Sequence, residues 1–244
     1  MQSLYPTAPN ELSDDDLADL YAYPFERTWL RANFVSSLDG ATQGGDGKSG
    51  SLSSRADKRI FRVLRSLADI IVVGASTARV ESYQPVRHTE ARAALRSRLG
   101  LAPLPSMAVV SRSLDLDPVL FDDEEAPTVV ITTESSPADR RRELADVASV
   151  LVAGEVDVDF GVALEALAAS GHRRMLCEGG PSLLRALVAG SHLDELCLTL
   201  SPLLVSGDQI RLTDGELLEP PQRLELRHLL EADGQLFARY VTRG

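Results

Sequence analysis

Three features of the 244-residue sequence predict an α/β fold. The expected architecture is a mostly parallel, mixed sheet with helices on both faces and a C-terminal β-hairpin. First, short apolar runs of strand length alternate with segments of helical periodicity from Thr28 to Ala189. Such strand–helix–strand repeats put a parallel sheet between two helical layers. Second, runs such as DIIVV (Asp69 to Val73) are continuously apolar after their first residue, the pattern of a strand buried on both faces. Third, the tail drops the alternation: RLELRHLLEADGQLFARYVT reads as two strands about an Ala-Asp-Gly turn.

The elements follow in order. Ser13 before three aspartates is an N-cap with an acidic first turn, opening a short helix to about Tyr21. TWLRANFVSS (Thr28 to Ser37) alternates as a strand and runs into a polar, glycine-rich loop. Ile60, Leu64 and Leu67 recur at helical spacing from Arg55 to Leu67, with Lys58, Arg62 and Arg65 on the other face. After DIIVV, the spacing predicts a helix over Thr89 to Leu99, then strands at MAVVS (Met107 to Ser111) and TVVIT (Thr128 to Thr132). Ser136-Pro137 is read as a cap and first helical residue. SVLVA is a strand, Phe160 to Ser170 a helix, RMLC a strand and Pro181 to Ala189 a helix; LDELCLTLSPLL opens the strand-rich tail. The acidic stretch Phe121 to Pro127 is expected to be a solvated loop. No linker divides the chain, so one domain is expected over 1–244, with 1–27 an N-terminal extension holding a short helix.

The composition, 44% hydrophobic and 25% charged, supports a full core without disulfides or metals. Cys177 and Cys197 lie among apolar residues and read as core thiols, and the four histidines are scattered singly, so no metal site is expected. A net charge of -11 disfavours nucleic acid and anionic membrane as partners and leaves a small molecule. The first 20 residues lack the basic and apolar regions of a signal peptide, and no apolar stretch approaches membrane-spanning length. A cytoplasmic protein is the expectation.

Chemistry concentrates at three strand ends. MLCEGGPSLL (Met175 to Leu184) places Glu178, Gly179 and Gly180 between a strand and a helix opened by Pro181. Proline suits the first helical position, and bare amides at a helix start attract anions. The segment is either a phosphate cradle, with Ser182 adding a hydroxyl, or a plain tight turn. Glu178 either accepts from a polar heterocycle or caps a neighbouring N–H. VVGASTARVE (Val72 to Glu81) repeats the arrangement, with Thr77 facing a ribose or phosphate or capping its helix. FVSSLDG (Phe34 to Gly40) is the third.

Taken in order, these pieces resemble the riboflavin-pathway pyrimidine reductases, the reductase half of the bacterial bifunctional deaminase/reductase. The resemblance rests on SLDG (Ser37 to Gly40), KSGSLSS (Lys48 to Ser54), Leu64-Arg65, VGASTARVE, the arginine of QPVR, the serine ending AVVS, EGGPSLL and HLDELCLTLSPLL. It covers nearly everything after residue 28, and the deaminase half is absent. The resemblance implies a dihydrofolate-reductase-like three-layer fold, NADPH as hydride donor and a homodimer. It assigns Thr77, Glu81, Ser111 and the turn Gly179, Gly180, Pro181, Ser182, Leu183, Leu184 to the cofactor. Ser49, Arg65, Arg87 and Glu178 go to the substrate, with Arg65 and Arg87 clamping a sugar phosphate. Asp39 is the catalytic candidate near the nicotinamide, or else the holder of the SLDG turn. Arg112 either pairs with a 2′-phosphate or is a plain surface arginine. The implied activity is reduction of the ribosyl group of a phosphorylated 5-amino-6-ribosylaminopyrimidinedione to ribityl. A pterin reductase and a non-catalytic NADPH-binding chain are the alternatives.

Three positions depart from the family pattern. Ala41 stands where bacterial members carry lysine, Ser51 where an aromatic residue meets the cofactor, and Glu81 where aspartate is usual. The missing ammonium matters most, because it would stabilise developing charge. Lys48 is the nearby candidate replacement.

Overall fold

A computed structural model describes residues 1–6, 11–24, 27–122 and 126–242. Among these, ten strands form one sheet: β1 (Gln2–Tyr5), β2 (Trp29–Ser37), β3 (Ile70–Gly74), β4 (Ser106–Val110), β5 (Val129–Thr132), β6 (Ser149–Val152), β7 (Arg174–Cys177), β8 (Glu195–Ser201), β9 (Leu224–Ala232) and β10 (Gln235–Thr242). The α-helices are α1 (Asp14–Leu20), α2 (Arg55–Leu67), α3 (Ala75–Val80), α4 (Glu90–Arg98), α5 (Ala138–Ala145), α6 (Phe160–Ala169) and α7 (Pro181–Ala189). The strand order is β1-β9-β10-β8-β2-β7-β3-β4-β5-β6. Every neighbouring pair from β8 to β6 is parallel, and β10, β9 and β1 continue the sheet antiparallel.

Period-two alternation builds the two cores. Ile71 and Leu176 face the layer of α1 and α2, where Leu17, Ile60 and Leu64 are buried. Their neighbours Ile70, Val72, Met175 and Cys177 face the opposite layer, against Leu167 of α6 and Leu183 and Leu187 of α7. A strand between two layers is apolar wherever it is buried, which is why Ile70 to Val73 and Met175 to Cys177 carry no polar alternation, while Asp69 and Arg174 pair with each other where the two runs begin. This is the three-layer mixed-sheet fold that the resemblance implies. The caps follow the sequence: Ser13 and Asp16 form a reciprocal capping box on α1, and Ser54 caps α2. Asp233 and Gly234, both at positive φ, turn β9 into β10. Both cysteines are free and buried.

Some local expectations are corrected. The first 27 residues hold a strand as well as a helix, since β1 pairs with β9 at the far end of the chain. Four residues are too few to declare a period. Helix α5 starts at Ala138 with Pro137 in the capping position, and the Ser136 hydroxyl donates instead to the Thr133 carbonyl. Thr77 is not a cap: α3 is capped by Gly74 and Thr77 lies inside the helix. Of the acidic stretch 121–127, residues 123–125 lie outside the described residues.

Candidate active site

The carboxyl ends of β2, β7, β3 and β4 open into one cleft of about 1330 Å³. Open α/β sheets present ligand sites at this edge. Its floor is made by two turns locked together. The Gly74 N–H donates to the Gly179 carbonyl at 2.7 Å, and the Gly179–Gly180 peptide is cis. A Cβ on Gly180 would lie 2.5 Å from Thr77 Oγ1. Gly179 has φ +105°, and its Cβ would meet the Phe34 ring at 3.4 Å. The glycines are thus demanded by the packing of the turns themselves. Beyond them, Pro181 opens α7 without an N–H, and the Leu184 N–H bonds the Gly180 carbonyl at 3.0 Å. The N–H groups of Ser182 and Leu183 are left without an α-helical acceptor at the positive end of the helix. The Ser182 hydroxyl points to Asp214 at 3.4 Å. Leu184 is 1% exposed and packs in the core, so it does not line the cleft.

The polar centre pairs two residues that were expected to bind substrate separately. Arg65 donates from Nε and Nη2 to the two carboxylate oxygens of Glu178, at 2.7 and 2.6 Å. Tyr83 donates its hydroxyl to Glu178 Oε2 at 2.7 Å. The Arg65 guanidinium stacks 4.3 Å from the Phe61 ring. Burial works against the Arg65 charge, but the Glu178 carboxylate outweighs it and holds Arg65 above the ordinary arginine range. Glu178 is therefore not a cap: Arg65 and Tyr83 hold its carboxylate in the cleft. Arg65 lines the cleft as the guanidinium partner of Glu178, and Nη1 stays outside that fork.

Other expected residues fall around this centre. Glu81 accepts the Ser49 N–H at 2.7 Å, so it fixes the glycine-rich loop against the cleft. The Ser111 hydroxyl accepts the Leu114 N–H at 3.0 Å and closes the turn after β4. Arg112 is 64% exposed in its side chain and pairs with Asp157 across the cleft rim. Arg87 lines the cleft with Gln84 as its side-chain partner at 3.1 Å. Asp39 does not line it. Its carboxylate accepts from the Ser37 hydroxyl and from the N–H groups of Val205 and Ser206. The Ser37 bond first, then those amides, depress Asp39 to about 2, so it is ionised and occupied by the turn. Asp39 is withdrawn as the catalytic candidate. Lys48 is exposed and also outside the cleft lining, whereas Lys58 is part of it.

Sequence reasoning missed Tyr83, Phe34, Phe61 and Arg92, all of which line the cleft. Helical spacing carried one signal: Lys58, Phe61 and Arg65 stand at i, i+3 and i+7 and share the face of α2 turned to the cleft. Tyr83 follows a residue at positive φ, Ser82, and its direction depends on that turn.

A cleft at the carboxyl edge of a three-layer α/β sheet, with amide-lined turns and a buried ion pair, defines a ligand-binding α/β domain. Its family is specific. The chain belongs to the RibD C-terminal domain family, whose model matches residues 28–237. It is 32% identical over 225 residues to the 2,5-diamino-6-ribosylamino-4(3H)-pyrimidinone 5′-phosphate reductase of Methanothermobacter thermautotrophicus, covering 89% of this chain and 100% of that one. The protein of the same name from Archaeoglobus fulgidus is 32% identical over 216 residues, covering 87% and 96%. Among solved structures, a pyrimidine reductase-like protein from Corynebacterium diphtheriae superposes with a TM-score of 0.81 at 30% identity, covering 93% of this chain and 98% of that one.

Proposed function

We propose that this chain is an NADPH-dependent oxidoreductase of riboflavin biosynthesis, a single reductase domain that converts the ribosyl group of a phosphorylated ribosylaminopyrimidine to ribityl. The observation that carries this reading is the buried Glu178–Arg65–Tyr83 centre, set in the cleft beside the unpaired amides of α7. The relatives at 32% identity are named for a 2,5-diamino-pyrimidinone ring, so we place that ring ahead of the dione. The pterin reading has no support from these relatives.

The residues present fit a dinucleotide. The amides of Ser182 and Leu183 would hold its pyrophosphate, and Thr77 and Ser111 line the same wall. Arg112 would stand at the rim near an adenosine phosphate. When bound, the reduced nicotinamide supplies the hydride for C1′ of the sugar. The protein's part is positional. Glu81 keeps the Ser49 loop in place, and the fork of Arg65 fixes Glu178, with Tyr83, for the edge of the pyrimidine. A homodimer and a cytoplasmic location belong to the same proposal, and light scattering of the purified chain tests the first.

The test mixes the protein with NADPH and, in parallel, the phosphorylated diaminopyrimidinone, the phosphorylated dione and dihydrofolate. Loss of reduced-nicotinamide absorbance is expected with a pyrimidine and not with dihydrofolate. No turnover of either pyrimidine at saturating NADPH rejects the reading, and tight NADPH binding without turnover selects the non-catalytic alternative.

A further inference from the structure

The sheet carries a second cavity at its other end. Strand β2 begins at Trp29 and reaches the cleft at its carboxyl end, so the surroundings of Trp29 lie on the far edge of the sheet. There Arg27, Arg227 and Arg239, with Tyr23 and Trp29, line a cavity of about 520 Å³. None of these five residues lines the cleft.

The charge around this cavity is positive. Behind its wall Arg31 and Arg239 share one carboxylate, Glu195, at 2.5 and 2.9 Å. At the mouth Arg27 stands 3.8 Å from Asp194, and Arg227 stands 3.2 Å from Glu225. In these pairs the guanidiniums of Arg27, Arg31, Arg227 and Arg239 meet only the carboxylates of Asp194, Glu195 and Glu225, in a protein of net charge -11. Hydrogen bonding is incomplete as well. Arg31 Nη1, Arg239 Nε and His228 Nε2 are enclosed without a partner, and His228 and Arg239 are opposite one another in the β9–β10 pair. Buried polar groups are almost always satisfied, and an ion nearby is one of the ordinary explanations when they are not. The three arginines that line the cavity come from three places, Arg27 from the segment before β2, Arg227 from β9 and Arg239 from β10. Guanidinium forks brought to one cavity from several elements suit an oxyanion with several acceptor oxygens.

We propose that this cavity at the amino end of β2 binds a phosphate group, held by Arg27, Arg227 and Arg239. The site is separate from the cleft and does not depend on the reaction assigned there.

Trp29 is the sole tryptophan of the chain and lies 4.4 Å from the Arg27 guanidinium, so its emission reports on this cavity. Titration with inorganic phosphate in chloride-free buffer is expected to change that emission saturably. Arg227→Gln, at a half-exposed side chain, should raise Kd about threefold to tenfold, and Arg227→Lys should recover part of the loss. Arg239→Gln should raise Kd further. Arg227→Glu reverses a surface charge without touching the buried pairs; it should abolish saturation and serves if Arg239→Gln does not fold. Arg112→Gln, at the rim of the cleft, should leave Kd unchanged. A parallel titration with a nucleoside monophosphate separates the two sources of the group: tighter binding than inorganic phosphate assigns the site to a phosphorylated molecule, and equal or weaker binding assigns it to free phosphate. The absence of a saturable change in wild type overturns the proposal, as does a change that survives Arg227→Glu or that Arg112→Gln weakens.

Discussion

Glu178→Gln is the perturbation that tests the centre of the site most directly. The carboxylate takes two bonds from Arg65, at 2.7 and 2.6 Å, and one from Tyr83 at 2.7 Å. The Glu178 side chain is 1% exposed and that of Arg65 is 18% exposed. Removing one member of a buried pair costs about 3–5 kcal/mol, chiefly because the other charge is left uncompensated. Two features reduce that here. Glutamine keeps one oxygen for the guanidinium, and the Phe61 ring 4.3 Å from Arg65 shares part of its charge. The expected loss is therefore about 2–3 kcal/mol. Denaturant unfolding at neutral pH measures it, as a lower midpoint with an unchanged slope. Arg65→Gln and the double variant complete a cycle in which the pair should couple by more than about 1 kcal/mol. Additive single losses, or a Glu178→Gln loss below about 0.5 kcal/mol, would mean a solvated pair and would refute the reasoning.

Three further outcomes follow from particular contacts. Gly180→Ala puts a Cβ 2.5 Å from Thr77 Oγ1, an overpacking expected to cost about 1–3 kcal/mol. Adding Thr77→Ala leaves ordinary contact, so the double variant should melt above Gly180→Ala; if it melts no higher, the packing account is wrong. Burial, aided by the charge of Arg239, depresses His228 from 6.5 to about 4, so the native protein keeps it neutral while the unfolded chain takes a proton. Stability should be highest above pH 6.5 and fall toward pH 4 by up to about 3 kcal/mol, a limb that His228→Phe should flatten in pH-dependent unfolding. Glu195 extends the loss: burial opposes its charge, but Arg31 and Arg239 outweigh that and hold it near 2, so its contribution, full above 4.5, disappears as pH falls through 2. Asp157→Asn releases Arg112, and KM for NADPH should fall up to about fivefold with KM for NADH unchanged. Equal changes for both cofactors would remove Arg112 from the phosphate.

The fold was legible wherever period and punctuation agreed. Helix α2 runs from Arg55 to Leu67 as its spacing requires, and α7 begins at Pro181 because proline tolerates that one position. The misses were cases in which the deciding partner lies far along the chain. Strand β1 exists because β9 lies beside it, and no local pattern in four residues announces that. The site was legible as a set of strand ends but not as a set of pairings. Glu178, Arg65 and Tyr83 stand 95 to 113 residues apart where they bond, so their saturation of one another is a property of topology alone. Arg92 carried no motif; only the packing of α4 beside α2 brings it to the cleft.

The SLDG turn ties two loops together at the carboxyl end of β2. Ser37 accepts the Ala41 N–H and donates to Asp39, and Asp39 takes the amides of Val205 and Ser206. Thr42 then bonds the Ile210 carbonyl through both its N–H and its hydroxyl. The segment thus fastens the loop after β8 along the cleft, where Ile210 and Asp214 form part of the lining. Ala41, 4% exposed, brings no ammonium to this side. The cationic side chains that line the cleft come instead from other segments: Lys58 and Arg65 from α2, Arg92 from α4, and Arg87 and Arg112 from loops. Asp57, Glu81 and Glu178 each take internal donors, while among the described residues no carboxylate pairs with Lys58, Arg87 or Arg92, so this part of the cleft is cationic inside a protein of net charge -11. Positive charge confined to one wall of a cleft in an acidic protein favours anionic ligands there over the rest of the surface.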